Sequence, residues 1–283
     1  MDSPINWCGG KSLSADKIVK LMPDHLCYVE VFGGGLWVFF RKSPSKAEAI
    51  NDVNGELINM YRVIQRKHKE FLERTHYEMY SRELYYEYLN DFYSGKHEKL
   101  DDIEKAFRFF CMIKEAFAAK FGGGWGYSSA RNMATAFFNE FEGFDAVNAR
   151  LKNVQIDNRD FEEVIIGFDS ERTLFYVDPP YVGSANENYY FKSVDTSFSL
   201  WDHQRLFMAL KKIKGKFILT VDDCEWIRER YCTSDSGFVV IENEVFYSSA
   251  DKNNRRHVIE LIIMNYNPNG KMHIDSRQGR LNF

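Results

Sequence analysis

Cysteine is scarce and follows no pairing pattern: the five (Cys8, Cys27, Cys111, Cys224, Cys232) are odd in number and none stands in a CxxC pair. That argues against both a disulfide framework and a thiolate zinc site, and predicts reduced thiols in a cytoplasmic setting. The seven histidines include no HExxH and no cluster, so no catalytic metal is expected. No apolar run approaches the ~18 residues a bilayer demands, and the N-terminus carries no basic-plus-apolar leader. A soluble protein with no membrane partner is expected. Basic residues are not in excess, 37 Lys+Arg against 41 Asp+Glu for a net charge of −4. Indiscriminate phosphate binding is thereby disfavoured, although local basic clusters can still form a binding face. There is no internal repeat and no low-complexity tract.

What the chain does have is core material, 45% apolar residues over 283 positions, and an unusual 16% of aromatics. The run Leu174-Phe175-Tyr176-Val177 reads as a buried strand, stopped by Asp178-Pro179-Pro180-Tyr181 because proline gives no hydrogen bond to a ladder. A carboxylate and an aromatic ring are thus offered at a strand's C-terminal edge, where open α/β sheets bind ligands. Such a group suits an exocyclic amine. Asp178 and the Pro179 carbonyl, freed by the rigid Pro179-Pro180 turn, accept its two hydrogens, and Tyr181 stacks on the ring, worth roughly 1 kcal/mol beyond burial. A plain strand-ending turn reads equally well from four residues alone.

Tyr28 to Phe32 reads as a second strand, turned by Gly33-Gly34-Gly35 into a helix near Leu36. A third, Ala47 to Asn51, ends at Asp52, about 20 residues beyond the glycines, the usual place for an acid that binds a ribose hydroxyl. The turn lacks the G-x-G-x-x-G pattern of a dinucleotide site, and fits S-adenosylmethionine instead. Gly10-Lys11-Ser12 imitates the end of a P-loop but has Ile5 where the first glycine belongs, which rejects an ATPase. Asn54 is a candidate N-cap, and Ser199 with Asp202 a candidate capping box. Further strands are expected near 154–157 and 215–221, with a C-terminal hairpin over 238–246 and 257–266.

Residues 60–150 read as aromatic-rich, charge-rich helices without a convincing strand; Ile103, Phe107, Phe110, Ile113 and Phe117 share one helical face as a core stripe. Lys120, Trp125, Tyr127 and Arg131 flank a four-glycine loop suited to a nucleic-acid backbone, as does the hairpin tip with Ser249, Asn253, Asn254, Arg255 and Arg256. A mobile surface loop and a solvated tip are the plainer readings. Phe161, after Asp160, is either a purine-stacking residue or core, and His203 is expected to be solvated or capping.

The expected fold is therefore α/β: a doubly wound, Rossmann-like sheet with a C-terminal β-hairpin and an inserted helical domain. Residues 1–59 and 151–283 would form the cofactor-binding catalytic domain, and 60–150 the insertion that recognises the target.

Four ordered motifs then carry a resemblance across roughly residues 5 to 266. Trp7-Cys8-Gly9-Gly10-Lys11, Phe32-Gly33-Gly34-Gly35, Asn51-Asp52-Val53-Asn54 and Asp178-Pro179-Pro180-Tyr181 resemble, in order, the motifs of the Dam-like, D12-class DNA adenine-N6 methyltransferases. The resemblance implies a class I methyltransferase sheet and methyl transfer from S-adenosylmethionine to N6 of an adenine flipped out of double-stranded DNA. It also implies that Trp7, Lys11, Phe32, Gly33, Gly35, Asp52, Phe161 and Asp178 surround the cofactor, and that the chain works in a prokaryotic or phage-like cytoplasm. Cys8 replaces the family's alanine, and Met112-Ile113-Lys114-Glu115-Ala116-Phe117 stands where its Asn-Arg-x-x-Phe helix is usual, which leaves the target sequence open. RNA adenine, or DNA binding without catalysis, remains the alternative, and the oligomeric state lies between monomer and weak dimer.

Overall fold

A computed structural model describes residues 1–117, 120–182, 198–247 and 256–268, with only the backbone described at 246–247 and 256–257. The chain opens with α1 (Ala15–Lys20), β1 (Cys27–Glu30), α2 (Trp37–Arg41) and β2 (Ala47–Asn51). A helical excursion follows: α3 (Gly55–Arg66), α4 (His68–Glu73), α5 (Arg82–Tyr93), α6 (Asp102–Lys114), α7 (Met133–Asn139) and α8 (Phe144–Leu151). The chain then resumes alternation through β3 (Gln155–Asp157), α9 (Phe161–Phe168), β4 (Thr173–Val177), α10 (Leu200–Leu210), β5 (Lys216–Asp222) and α11 (Glu225–Tyr231). It closes with β6 (Val239–Tyr247) and β7 (Arg256–Met264).

These strands form one seven-stranded sheet in the order β3-β2-β1-β4-β5-β7-β6, parallel except for β7, which runs antiparallel to β5 and β6. From β1 the chain winds outward to β2 and β3, then returns to lay β4 against the other side of β1. The edge between β1 and β4 is thus the switch point, and its C-terminal end opens a crevice.

Strand alternation divides the core into two layers. Tyr28, Ile50, Leu174, Tyr176, Ile218 and Ile262 face the layer that holds the early helices, whereas Val29, Phe175, Val177, Leu219 and Ile263 face α9, α10 and α11. β4 is buried at every position, as its unbroken apolar run requires. Caps set the helix starts: the Asn54 side chain accepts from the amides of Glu56 and Leu57, Asp101 from those of Ile103 and Glu104, and Ser199 with Asp202 forms a reciprocal capping box.

The excursion is built on aromatic packing. Phe71 stacks on Phe144 at 5.4 Å and meets Phe107 edge-on at 5.4 Å, and these rings are continuous with the apolar layer on the sheet's first face. The expected stripe holds through Phe107, Phe110 and Ile113, but α6 stops at Lys114. Phe117 lies beyond its end and is 58% exposed. The chain turns there because Ala116 and Trp125 form an isolated antiparallel bridge, which closes the glycine loop.

Candidate active site

The crevice is walled first by the bend after β1. Gly34 adopts φ +48°, and a Cβ there would stand 2.8 Å from Trp7 Cδ1, so both backbone and space require glycine. The bend is braced from the neighbouring strand. The Gly34 amide donates to Asp52 Oδ2 at 2.8 Å, the Asn54 amide to Asp52 Oδ1 at 2.8 Å, and the Tyr61 hydroxyl to the Gly34 carbonyl at 2.8 Å. Burial pushes the Asp52 carboxyl up from its ordinary value, and these amide donors oppose the shift.

Across the crevice, Asp178 follows β4. Its Oδ1 meets the Lys11 ammonium at 2.8 Å and accepts from the Thr220 hydroxyl at 2.7 Å. Lys11 is 5% exposed; its ammonium also donates to the Gly9 carbonyl at 3.0 Å, lies 3.8 Å from Glu260 Oε1 and sits 4.9 Å from the Tyr181 ring centre. Burial raises the Asp178 pKa, and Lys11 and Thr220 pull it back. Beside it, burial lifts Glu30 to about 8, with the Tyr28 hydroxyl bonded to its Oε2 at 2.7 Å.

These groups surround an open crevice whose free space, including solvent at its mouth, is about 930 Å³. Trp7, Lys11, Phe32, Gly33, Gly35, Asp52, Asp178, Pro179, Pro180 and Tyr181, distant in sequence, all line this one cavity. Phe161 does not. It is buried beneath Phe32, ring centres 5.6 Å apart, because α9 turns its apolar side to the second layer. Asp160 is likewise spent as the cap of α9 and as a partner of Arg205 at 2.7 Å.

His203 is not solvated: it is 2% exposed behind the Pro180 turn, hydrogen-bonds the Pro180 backbone, and burial lowers its pKa to about 4, leaving the ring neutral. Lys120, Tyr127 and Arg131 are exposed, whereas Trp125 is half-buried, its indole N–H donating to Glu115 Oε2 at 2.8 Å. Ser249, Asn253, Asn254 and Arg255 lie outside the described residues, and Arg256 begins β7. Sequence reasoning passed over Glu30, Thr220 and Glu260. Each is a polar residue inside an otherwise apolar strand run, a signal that was present.

A doubly wound sheet with one reversed strand, a glycine bend braced by an acid at the end of the next strand, and a carboxylate at the switch point form a Rossmann-like α/β frame around one crevice. The description of the D12 class N6 adenine-specific DNA methyltransferases matches residues 7–249, and the chain belongs to that family. It is a DNA adenine methyltransferase. Among curated relatives, the type II methyltransferase M1.LlaDCHI of Lactococcus lactis subsp. cremoris is 26% identical over 275 residues, covering 92% of this chain and 94% of its own. The type II methyltransferase M.CviBI of Paramecium bursaria Chlorella virus NC1A is 24% identical over 282 residues, 93% of this chain and 98% of its own. The DNA N-6-adenine-methyltransferase of Escherichia phage P1 is 26% identical over 253 residues, 84% of this chain but 32% of its own length.

Proposed function

We propose that this crevice holds S-adenosylmethionine between the glycine bend and Lys11, with the target adenine entering against Asp178 and Tyr181. The residues present fit the methyl donor. The glycine bend lines the crevice with backbone, Asp52 is the candidate acceptor for a ribose hydroxyl, and the carboxylates of Asp178 and Asp52 outnumber the one ammonium of Lys11, which suits a positively charged ligand. When bound, the donor supplies an electrophilic methyl group on a sulfonium.

The chain's own residues do the rest. Extruding the base costs a few kcal/mol, recovered by stacking on Tyr181 and hydrogen bonding in the pocket. Asp178 and the Pro179 carbonyl accept the two N6 hydrogens and turn the nitrogen lone pair outward, so positioning does most of the work. The same carboxylate stabilises the positive charge that develops on N6. One observation carries this reading: Asp178, held by Lys11 and Thr220, lines the same crevice as the glycine bend, Asp52, Pro179 and Tyr181.

For DNA, the helical segment 60–150 and the tip between β6 and β7 are the proposed grip. Lys120, Trp125, Tyr127 and Arg131, with Ser249, Asn253, Asn254, Arg255 and Arg256, are its contact candidates, on a duplex whose target sequence these loops select. Titration calorimetry of the full chain with the methyl donor, then with unmethylated duplex DNA and with single-stranded RNA, tests the assignment. Heat with donor and with duplex at one site each is expected. No heat with the donor, or preference for RNA, overturns it.

A further inference from the structure

One buried carboxylate acts on this site from outside the cavity wall. Glu260 lies on β7 opposite Asp222 of β5 and Asn243 of β6, within the run Val258 to Met264, and is 0% exposed. A carboxylate withdrawn completely from water is costly unless it is bonded. Among the described residues, two that line the cavity meet its Oε1: the Tyr181 hydroxyl donates at 2.8 Å, and the Lys11 ammonium lies at 3.8 Å.

Lys11 therefore stands between two anions, 2.8 Å from Asp178 and 3.8 Å from Glu260. With Asp178 as its sole partner, the ammonium would compete with the adenine amine for that carboxylate. A second anion behind it offers another seat. We propose that Glu260 is a positioning residue that draws Lys11 back from Asp178 when the target amine arrives, and at the same time fixes the Tyr181 ring through its hydroxyl. The inference rests on the reading of Asp178 as amine acceptor. The titratable groups facing Asp178 are Lys11 from the N-terminal segment, Glu30 from β1, Tyr176 from β4, Tyr181, and Glu260 from β7, with the Thr220 hydroxyl of β5 as a further donor.

Glu260→Gln separates the two tasks, since an amide oxygen still accepts the Tyr181 hydroxyl while the charge that attracts Lys11 is gone. The test compares binding of two duplexes by fluorescence anisotropy. One carries adenine at a site the wild type methylates; the other carries purine deoxyriboside there, which lacks the amine. Wild type should prefer adenine severalfold, and E260Q should lose at least threefold of that preference. In turnover, kcat should fall at least tenfold with the donor Kd within threefold of wild type, and the acid limb of the pH profile should move to lower pH as Lys11 settles on Asp178. Unchanged adenine preference with normal kcat overturns the inference. If E260Q does not fold, Glu260→Asp carries the test, because it withdraws the charge from Lys11 by one methylene: the preference should fall at least twofold, and no change refutes the role. Wild type that transfers no methyl to DNA adenine would instead refute the functional reading itself.

Discussion

Thr220→Val offers a quantitative test of how the active carboxylate is kept ready. Thr220 is completely buried, its hydroxyl proton goes to Asp178 Oδ1 at 2.7 Å, and its oxygen lies 3.0 Å from the Tyr176 hydroxyl. Having one proton to give, Thr220 must accept from Tyr176. Valine keeps the shape and removes both bonds. A hydrogen bond to an ionised group is worth about 1.5–3 kcal/mol, which corresponds to roughly one to two pH units on the acid it stabilises. On the proposed reading Asp178 accepts the amine only when ionised, so activity should be lost as pH falls through its folded pKa. Removing a donor to the ionised form raises that pKa further above its ordinary value, so the acid limb of kcat/KM should move up by about one unit or more. The stranded Tyr176 hydroxyl should also cost about 1–3 kcal/mol, or a Tm lower by roughly 5 °C. Adding Tyr176→Phe to T220V should recover the Tm and leave the limb displaced. Methyl incorporation into duplex DNA from pH 5 to 9 reads the result, and an acid limb that stays in place would refute the argument.

Three further outcomes are expected. Gly34→Ala forces a Cβ to 2.8 Å from the Trp7 ring at φ +48°, and calorimetry should show methyl-donor affinity lowered about tenfold, by the ~1.4 kcal/mol that backbone strain of this kind commonly costs. Glu115 is raised by burial to about 8 in the folded chain, so its contribution to stability should fall as pH rises from about 4.5 towards 8, by at most ~1.4 kcal/mol per unit. Thermal melts of Glu115→Gln across that window should show a shallower decline, the remaining slope coming in part from Glu30, and an unchanged slope would assign Glu115 an ordinary titration. Lys120→Ala and Arg131→Ala should each weaken duplex binding and reduce the salt slope by about one, as measured by anisotropy at several salt concentrations.

Much of the catalytic half was legible because its signals are local. Proline ends β4, glycine permits the bend, and Asn54 and Ser199 announce their helices, so strand order and the meeting of Asp52 with Asp178 follow from α/β winding rules. Lys11, by contrast, is placed at the site by resemblance alone, and its burial between Asp178 and Glu260 emerges only when the N-terminal segment folds over the sheet. Phe161 and His203 were ambiguous for a related reason. Aromatic and imidazole rings serve cores and sites alike, and only packing shows that both lie behind the cavity wall. Phe117 continues a helical spacing that α6 abandons at Lys114, because the Ala116 to Trp125 bridge requires extended backbone. Glu260 could not be placed from sequence, since its partners lie 79 positions away at Tyr181 and further still at Lys11.

The most direct measurement is nucleoside analysis of unmethylated duplex DNA after incubation with labelled S-adenosylmethionine and either wild type or Asp178→Ala. Label in N6-methyladenine with wild type, and its loss in a D178A protein that still binds DNA, is the predicted result. Near-normal N6-methyladenine from D178A would contradict the account.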